Sequence, residues 1–225
     1  MTTFGHALIM AAGRGLRMMP LTAAIPKPMA PFDGTTLIAS RIDTLKAHIG
    51  SVHITVGYKG AMLAKHVIEH NVSSVINTEG RGNAYWLYHT LLRHLDEPVV
   101  VLTCDNVATL DFAGIAAEYD GVGRPACMVV PVEPVEGLDG DFIFHDNQLV
   151  TEITRDRPSP IYCSGIQVLN PRRIGELTKP TESFMSVWQQ LIECGQLACA
   201  SVYPSSWMAI DTIDQLVRFD PASNS

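Results

Sequence analysis

The stretch that most restricts the fold is Ala7–Lys27, ALIMAAGRGLRMMPLTAAIPK. The apolar run Ala7–Met10 has the length of a strand and leads straight into a small-residue loop, Ala11-Ala12-Gly13-Arg14-Gly15. Pro20, Pro26, Pro28 and Pro31 then forbid a regular helix until about Thr36, because each lacks an N–H and its ring clashes with the preceding turn. A strand must therefore end in a glycine loop that does not open into a helix. Charge gathers at the same place. The chain carries a formal net charge of −7, yet no Asp or Glu precedes Asp33, whereas Arg14, Arg17 and Lys27 all fall here. Glycines let backbone N–H groups approach phosphate oxygens, and cationic side chains neutralise them. The pattern is that of an anion site, a polyphosphate above all.

The rest of the chain supplies a scaffold for such a loop. Thr36–Ile49 has apolar residues at Ile38, Ile42, Leu45 and Ile49, a helical spacing. Val52–Val56 reads as a strand closed by Gly57, Ala61–Glu69 as a helix and Ser74–Asn77 as a strand. The order β-α-β-α-β implies a parallel sheet with helices on its faces. A loop, Thr78–Asn83, precedes an expected helix over Ala84–Leu95, striped by Leu87, Leu91 and Leu95. The continuous apolar run Val99–Leu102 reads as a central strand buried on both sides. It ends in Thr103-Cys104-Asp105-Asn106. Asp111 is placed near the N-cap of a helix reaching Tyr119, and Met128–Val132 is a strand. Beyond this point Phe142–His145 and Leu149–Ile153 flank a turn containing Asp146-Asn147, a hairpin. Ile161–Leu169 is a strand and Pro171–Leu177 a short helix. Ser183 is read as the cap of a helix carrying Phe184, Val187 and Leu191. Leu197–Tyr203 is a strand, Thr212–Phe219 a closing helix, and the tail after Asp220 is expected to fray.

With 225 residues, 47% of them apolar and 17% charged, the chain is a folded globular protein. It is expected to form a single domain over 1–225, with 1–132 mainly nucleotide-binding and 133–225 mainly acceptor-binding and closing elements. The acidic balance argues against nucleic-acid binding. The absence of an apolar run near ~20 residues argues against a membrane span, and the N-terminus lacks the plan of a signal peptide. The expected location is the cytoplasm. The five cysteines, widely spaced and without a CxxC pair, suit small core positions better than zinc or disulfides. No histidine is assigned a catalytic role.

In an open parallel sheet, ligands collect beyond the carboxyl ends of the strands. Both the glycine loop and Asp105 follow such ends. A carboxylate facing a polyphosphate needs a cation between them, and Mg²⁺ is the natural choice. The competing reading of Asp105 is a turn cap. Asp211, just before the last helix, has a similar alternative as a near-cap residue.

The loop lacks the third glycine of a dinucleotide fingerprint and the Gly-Lys-Ser/Thr of a P-loop. What it contains is G-x-G-x-R, then Pro20-Leu21-Thr22, then Pro26-Lys27-Pro28. This resembles the signature of the sugar-1-phosphate nucleotidyltransferases, especially their compact members without a β-helix domain. The resemblance implies a Rossmann-like three-layer α/β/α fold with a mostly parallel central sheet and a small β-containing acceptor lobe. It also implies the site. Ala11, Ala12, Gly13, Arg14 and Gly15 wrap a nucleoside triphosphate, Arg17 and Lys27 grip its phosphates, and Asp105 and Asp211 share a Mg²⁺ ion. Glu79, Gly82 and Asn83 lie near the base, in a loop that departs from the family's usual L-G-T-A/G-x-A. The segment Gly137–Phe142, with Asp141, and the segment around Gly165 line the acceptor side. The family's Glu-Lys-Pro is replaced by Thr154–Pro158, where Arg155 or Arg157 takes the acceptor phosphate, a role suited to bidentate guanidinium.

The implied reaction joins a nucleoside triphosphate to a sugar 1-phosphate, giving a nucleotide-sugar and pyrophosphate. The acceptor phosphate is itself the nucleophile, so no side-chain base is required. An alternative is a CTP:phosphocholine cytidylyltransferase or one acting on another small phospho-alcohol or phospho-amine. In that case Tyr85 or Trp86 would face a quaternary ammonium. A second alternative is a nucleotide-sensing module without turnover. Neither the base, the acceptor nor the oligomeric state is legible.

Overall fold

A computed structural model describes residues 3–135 and 140–220. The expected acceptor stretch Gly137–Asp139 and the tail after Asp220 lie outside the described residues.

In chain order, β1 (His6–Met10) carries a fully buried centre and ends at the glycine loop. A one-turn helix α1 (Leu21–Ala24) fits between the prolines. Strands β2 (Pro31–Phe32) and β3 (Thr35–Thr36) then form a small hairpin. Its turn residues Asp33 and Gly34 both have positive φ, 51° and 70°, the conformation that an Asp-Gly pair adopts at low cost. Helix α2 (Leu37–Lys46) starts where the proline series ends, and the Thr36 hydroxyl accepts the Ala39 N–H. β4 (Ser51–Val56), α3 (Gly60–Glu69) and β5 (Ser74–Asn77) complete the first alternation.

The single helix expected over Ala84–Leu95 is not formed. Helix α4 spans only Tyr85–His89. Thr90 is extended at φ −121°, ψ 174°, and its hydroxyl donates to the Trp86 carbonyl while accepting the Leu92 N–H. A side chain that satisfies the backbone on both sides competes with the helical ladder. A 3₁₀ turn, Leu91–His94, follows with Leu91 88% exposed, so the leucine stripe does not share one buried face.

β6 (Val99–Thr103), β7 (Asn106–Thr109), α5 (Phe112–Gly121) and β8 (Cys127–Val132) come next, and Asp111 caps α5 through the Gly114 N–H. The hairpin β9 (Phe142–Asp146) and β10 (Leu149–Thr154) is present, as are β11 (Tyr162–Leu169) and α6 (Pro171–Leu177). Helix α7 (Phe184–Glu193) begins after Ser183, but Ser183 makes no side-chain cap. The Phe184 N–H goes to Asn83 Oδ1 at 2.9 Å instead. Strand β12 stops at Leu197–Cys199, because Ser201 turns both its N–H and its hydroxyl to the Glu118 carboxylate. β13 (Ser206–Ala209) and α8 (Ile213–Phe219), the latter with a Thr212/Gln215 capping box, close the chain.

The contacts divide the chain into two compact units, and the division does not follow a 132/133 boundary. The first unit is His6–Arg81, Leu102–Val107 and Met208–Ser225. Its strands β5, β4 and β1 are adjacent and parallel, in register His53↔Ser74 and His6↔Ser51. The second unit is Met1–Gly5, Gly82–Val101 and Ala108–Trp207. Its strand order is β11-β8-β12-β10-β9, antiparallel except for β8 with β12. A register shift between Cys163 and Ile166 in β11 marks a bulge at Gly165, whose φ of 79° places it in the left-handed region.

Candidate active site

Backbone and side-chain hydrogen bonds hold the glycine loop where it leaves β1. The Ala11 N–H is held by Thr55 on β4, and the Ala12 carbonyl accepts the Tyr58 N–H. Gly57 permits that approach, since a Cβ there would lie 2.7 Å from the Ala12 oxygen. Gly15 sits at φ 62°, and a Cβ on it would meet Lys27 Cβ at 2.6 Å. Gly13 by contrast faces open space. The loop turns into a 3₁₀ segment, Leu16–Met18, which projects Arg17 outward with its side chain 68% exposed.

Two carboxylates come to this loop from distant parts of the same unit. The Cys104 N–H donates to the Met10 carbonyl, so Asp105 leaves β6 beside the end of β1. The Ile210 N–H donates to the Asp105 carbonyl, which brings Asp211 alongside. Between them stands the ammonium of Lys27, 2.7 Å from Asp105 Oδ2 and 2.7 Å from Asp211 Oδ1. Arg17 reaches the same Asp211 oxygen at 2.8 Å. Arg17, Lys27, Asp105, Asp211, Gly13 and Gly15 line one open cavity of about 440 Å³, and Arg14 joins them. Ala11 and Ala12 lie before the opening, the first of them buried.

Burial opposes the charged form of Lys27, but the Asp105 charge and the hydrogen bonds to both aspartates outweigh it, so the ammonium titrates above its ordinary range. Burial likewise opposes ionisation of Asp105. The Lys27 charge and hydrogen bonds from Lys27, Thr103 and the backbone reverse this and hold its carboxyl below the usual range. Both partners are therefore ionised at neutral pH. Cys104, buried beside them, has its thiol pushed far up by burial and stays protonated. It is no nucleophile.

The two carboxylates converge on one cation, which is the donor set that Mg²⁺ uses when substrate phosphates complete its shell. Among the described residues no cluster of three His, Cys, Asp or Glu side chains is placed to hold a metal ion unaided. The residues present fit a metal that arrives with an anionic ligand.

The other sequence-derived candidates are placed as follows. Glu79 is exposed and its N–H turns back to Asn77. Gly82 donates its N–H to Glu182 at 2.8 Å, and a Cβ there would collide with the Glu182 carbonyl at 2.1 Å. With Asn83 capping α7, the loop is tied to the 182–184 segment, a partner that sequence reading did not find. Arg155 lies against Asp141, with contacts of 2.5 and 3.3 Å. Arg157 pairs with Glu152 and stacks on Phe144, 3.7 Å from its ring centroid. Both arginines pair with carboxylates, as Arg17 does, and both side chains are exposed. Trp86 is 1% exposed and Tyr85 stacks on His89 at 4.6 Å, so both aromatics serve packing. His66 in the last turn of α3 and His70 at its C-cap stand four apart, edge to face at 5.1 Å, a pair that the sequence reading passed over.

The family model described as nucleotidyl transferase matches residues 6–153, from β1 to within β10. The chain belongs to the nucleotidyl transferase family. Similar relatives are the mannose-1-phosphate guanyltransferases of Neurospora crassa, 26% identical over 207 residues, and Debaryomyces hansenii, 27% identical over 206. These alignments take in 85% and 84% of this chain but 57% of each relative, so the chain spans less than three-fifths of their length. Among solved structures, an inositol-1-phosphate CTP transferase from T. maritima superposes with a TM-score of 0.77 at 16% identity, covering 96% of this chain and 92% of that one. A UDP-glucose pyrophosphorylase complexed with UDP-glucose gives 0.78 at 17%, covering 99% and 98%. These show a shared fold, a mixed and mostly parallel central sheet with helices. In this nucleotidyl transferase the family match includes Arg17, Lys27 and Asp105, while Asp211 lies beyond the matched stretch. No described helix is long and apolar enough to cross a membrane.

Proposed function

We propose that this chain is a Mg²⁺-dependent nucleotidyltransferase that joins a nucleoside triphosphate to a sugar 1-phosphate, releasing pyrophosphate. The observation that carries the reading is the convergence of Asp105, Asp211, Lys27 and Arg17 beside the glycine loop. An acceptor phosphate oxygen attacks the α-phosphorus and the pyrophosphate oxygen leaves with the electron pair. The nucleophile is already anionic, which agrees with a site lacking an ionised Cys or a His base. Gly13 faces open space where the triphosphate can approach the backbone, Gly15 makes room for Lys27, and Arg14 and Arg17 neutralise the leaving pyrophosphate. Asp105 and Asp211 would hold Mg²⁺, which supplies charge neutralisation on the transferred group. Lys27 keeps Asp105 ionised and holds the two carboxylates close together in the free protein. The relatives' names make GTP with mannose 1-phosphate the first pair to assay.

The phosphocholine alternative loses its support from Trp86 and Tyr85, which are engaged in packing. The deciding experiment is pyrophosphate release with Mg²⁺, with nucleoside triphosphates crossed against hexose 1-phosphates and phosphocholine. Release should require both substrates. Asp105→Asn should lower it at least about 100-fold, the scale of a lost electrostatic contact in a transition state, while the protein still melts cooperatively. Full activity in Asp105→Asn would remove the metal assignment.

A further inference from the structure

Tyr58, whose N–H holds Ala12, also reaches past the glycine loop to the helix that follows it. Its N–H donates to the Ala12 carbonyl at 3.0 Å, where the loop leaves β1. Its hydroxyl donates to the Thr22 carbonyl at 2.9 Å, where the chain re-enters α1. The Thr22 hydroxyl in turn donates to the Gly15 carbonyl at 3.1 Å, and Thr22 is only 1% exposed. The Tyr58 ring lies beneath the Arg14 guanidinium, 5.2 Å from carbon to centroid, and Lys59 Nζ is 5.5 Å from the same ring. A loop of glycines and exposed cations loses binding energy if it must be ordered by its ligand. One residue here spans the loop, its backbone N–H fixing the Ala12 anchor and its side-chain hydroxyl the Thr22 anchor, while its ring lies against one of the loop's cations.

We infer that Tyr58 is the positioning residue of the phosphate loop, holding Ala12 and Thr22 apart at a set span and presenting Arg14 to a polyphosphate ligand. This rests on the reading of the loop as a phosphate site. The brace itself can be tested without any ligand.

The experiment has two parts on the full chain. The first is amide hydrogen exchange in the free protein at Met18, Met19, Ala23 and Ile25, all hydrogen-bonded within the loop and α1. Tyr58→Phe keeps the ring and removes the hydroxyl, and should speed exchange there about 5-fold, the effect of one lost hydrogen bond. Tyr119→Phe, which removes a comparable bond to Pro125, should leave these amides unchanged. The second is calorimetric titration with inorganic tripolyphosphate and Mg²⁺. Tyr58→Leu should weaken binding about 10-fold, Tyr58→Phe less, and Arg14→Ala should cost clearly less in the Tyr58→Leu background than alone. Strictly additive costs, or equal binding by wild type and Tyr58→Leu, would overturn the positioning role. Unchanged exchange in Tyr58→Phe would overturn the brace. Wild type that takes up no tripolyphosphate, with exchange responding as expected, would instead overturn the reading of the loop as a phosphate site and leave Tyr58 a purely structural clamp.

Discussion

At the scale of single residues, the two glycines of the loop have different reasons to be glycine. Gly15 is left-handed, and a Cβ would overlap Lys27 Cβ at 2.6 Å, whereas a Cβ on Gly13 meets nothing within 4 Å. The positive φ alone costs a non-glycine residue on the order of 1 kcal/mol, and displacing Lys27 adds to that. Gly15→Ala should therefore lower stability by about 2 kcal/mol or more, and should weaken any polyphosphate binding because Lys27 leaves its position between the aspartates. Gly13→Ala should stay within about 0.5 kcal/mol of wild type. Urea denaturation of the two variants decides this, and equal losses would mean that loop geometry is not what Gly15 provides. The sequence made both glycines visible as one loop at the end of a strand. It could not rank them, because the atom that Gly15 makes room for lies twelve positions away on a chain whose path the prolines conceal.

At the scale of elements, the parallel edge of the first unit carries a titratable pair. His53 on β4 is 7% exposed, accepts or donates to Ser74 at 2.8 Å and to His6 on β1 at 3.1 Å. Burial first, and the neighbouring His6 second, push its pKa down to about 4. An unfolded histidine titrates near 6.5, so the unfolded chain binds the extra proton between pH 6.5 and 4. The stabilisation is therefore complete above about pH 6.5 and is lost as pH falls toward 4, a loss of roughly 2–3 kcal/mol. His53→Gln removes the titration and should flatten that part of the pH–stability curve. Chemical denaturation at pH 7 and pH 4.5 tests it, and parallel losses in both proteins would show that carboxylates alone govern the acid limb. Much of this element pattern was legible, since β1, α2, β4, α3 and β5 follow hydrophobic periodicity alone. The helix over Ala84–Leu95 was not, because Thr90 ends it through its own backbone hydrogen bonds and periodicity does not register that competition. The hairpin at Asp33-Gly34 did have a signal in its Asp-Gly pair.

At the scale of the whole molecule, what sequence order hides is closure. Lys27, Asp105 and Asp211 are separated by 78 and 184 positions from Lys27, and only the fold makes them one site. The first unit is assembled from three separate segments for this reason. A hydrophobic cluster joins its early and late parts, with Met18, Ala30, Phe32 and Leu37 packed with Ile210 and Leu216, and Ile213 and Phe219 against them. Asp211 lies within the late segment, flanked by Ile210, which is fully buried, and by the capping box of α8. The cluster thus serves the site through packing and not through contact with a ligand. Leu216→Ala should cost about 2–4 kcal/mol of stability, the usual loss for a buried leucine. It should also weaken tripolyphosphate binding several-fold, even where the protein remains folded, because α8 sets where Asp211 meets Lys27 and Arg17. Val217 is the matched control: it is one residue on, 60% exposed and outside the cluster. Val217→Ala should leave both quantities within about 0.5 kcal/mol of wild type. If Leu216→Ala loses stability with binding unchanged, Asp211 is held by its own cap and by the Ile210–Asp105 backbone bond alone, and the cluster is a core like any other. If both fall together, the last helix is part of the machinery that the first loop begins.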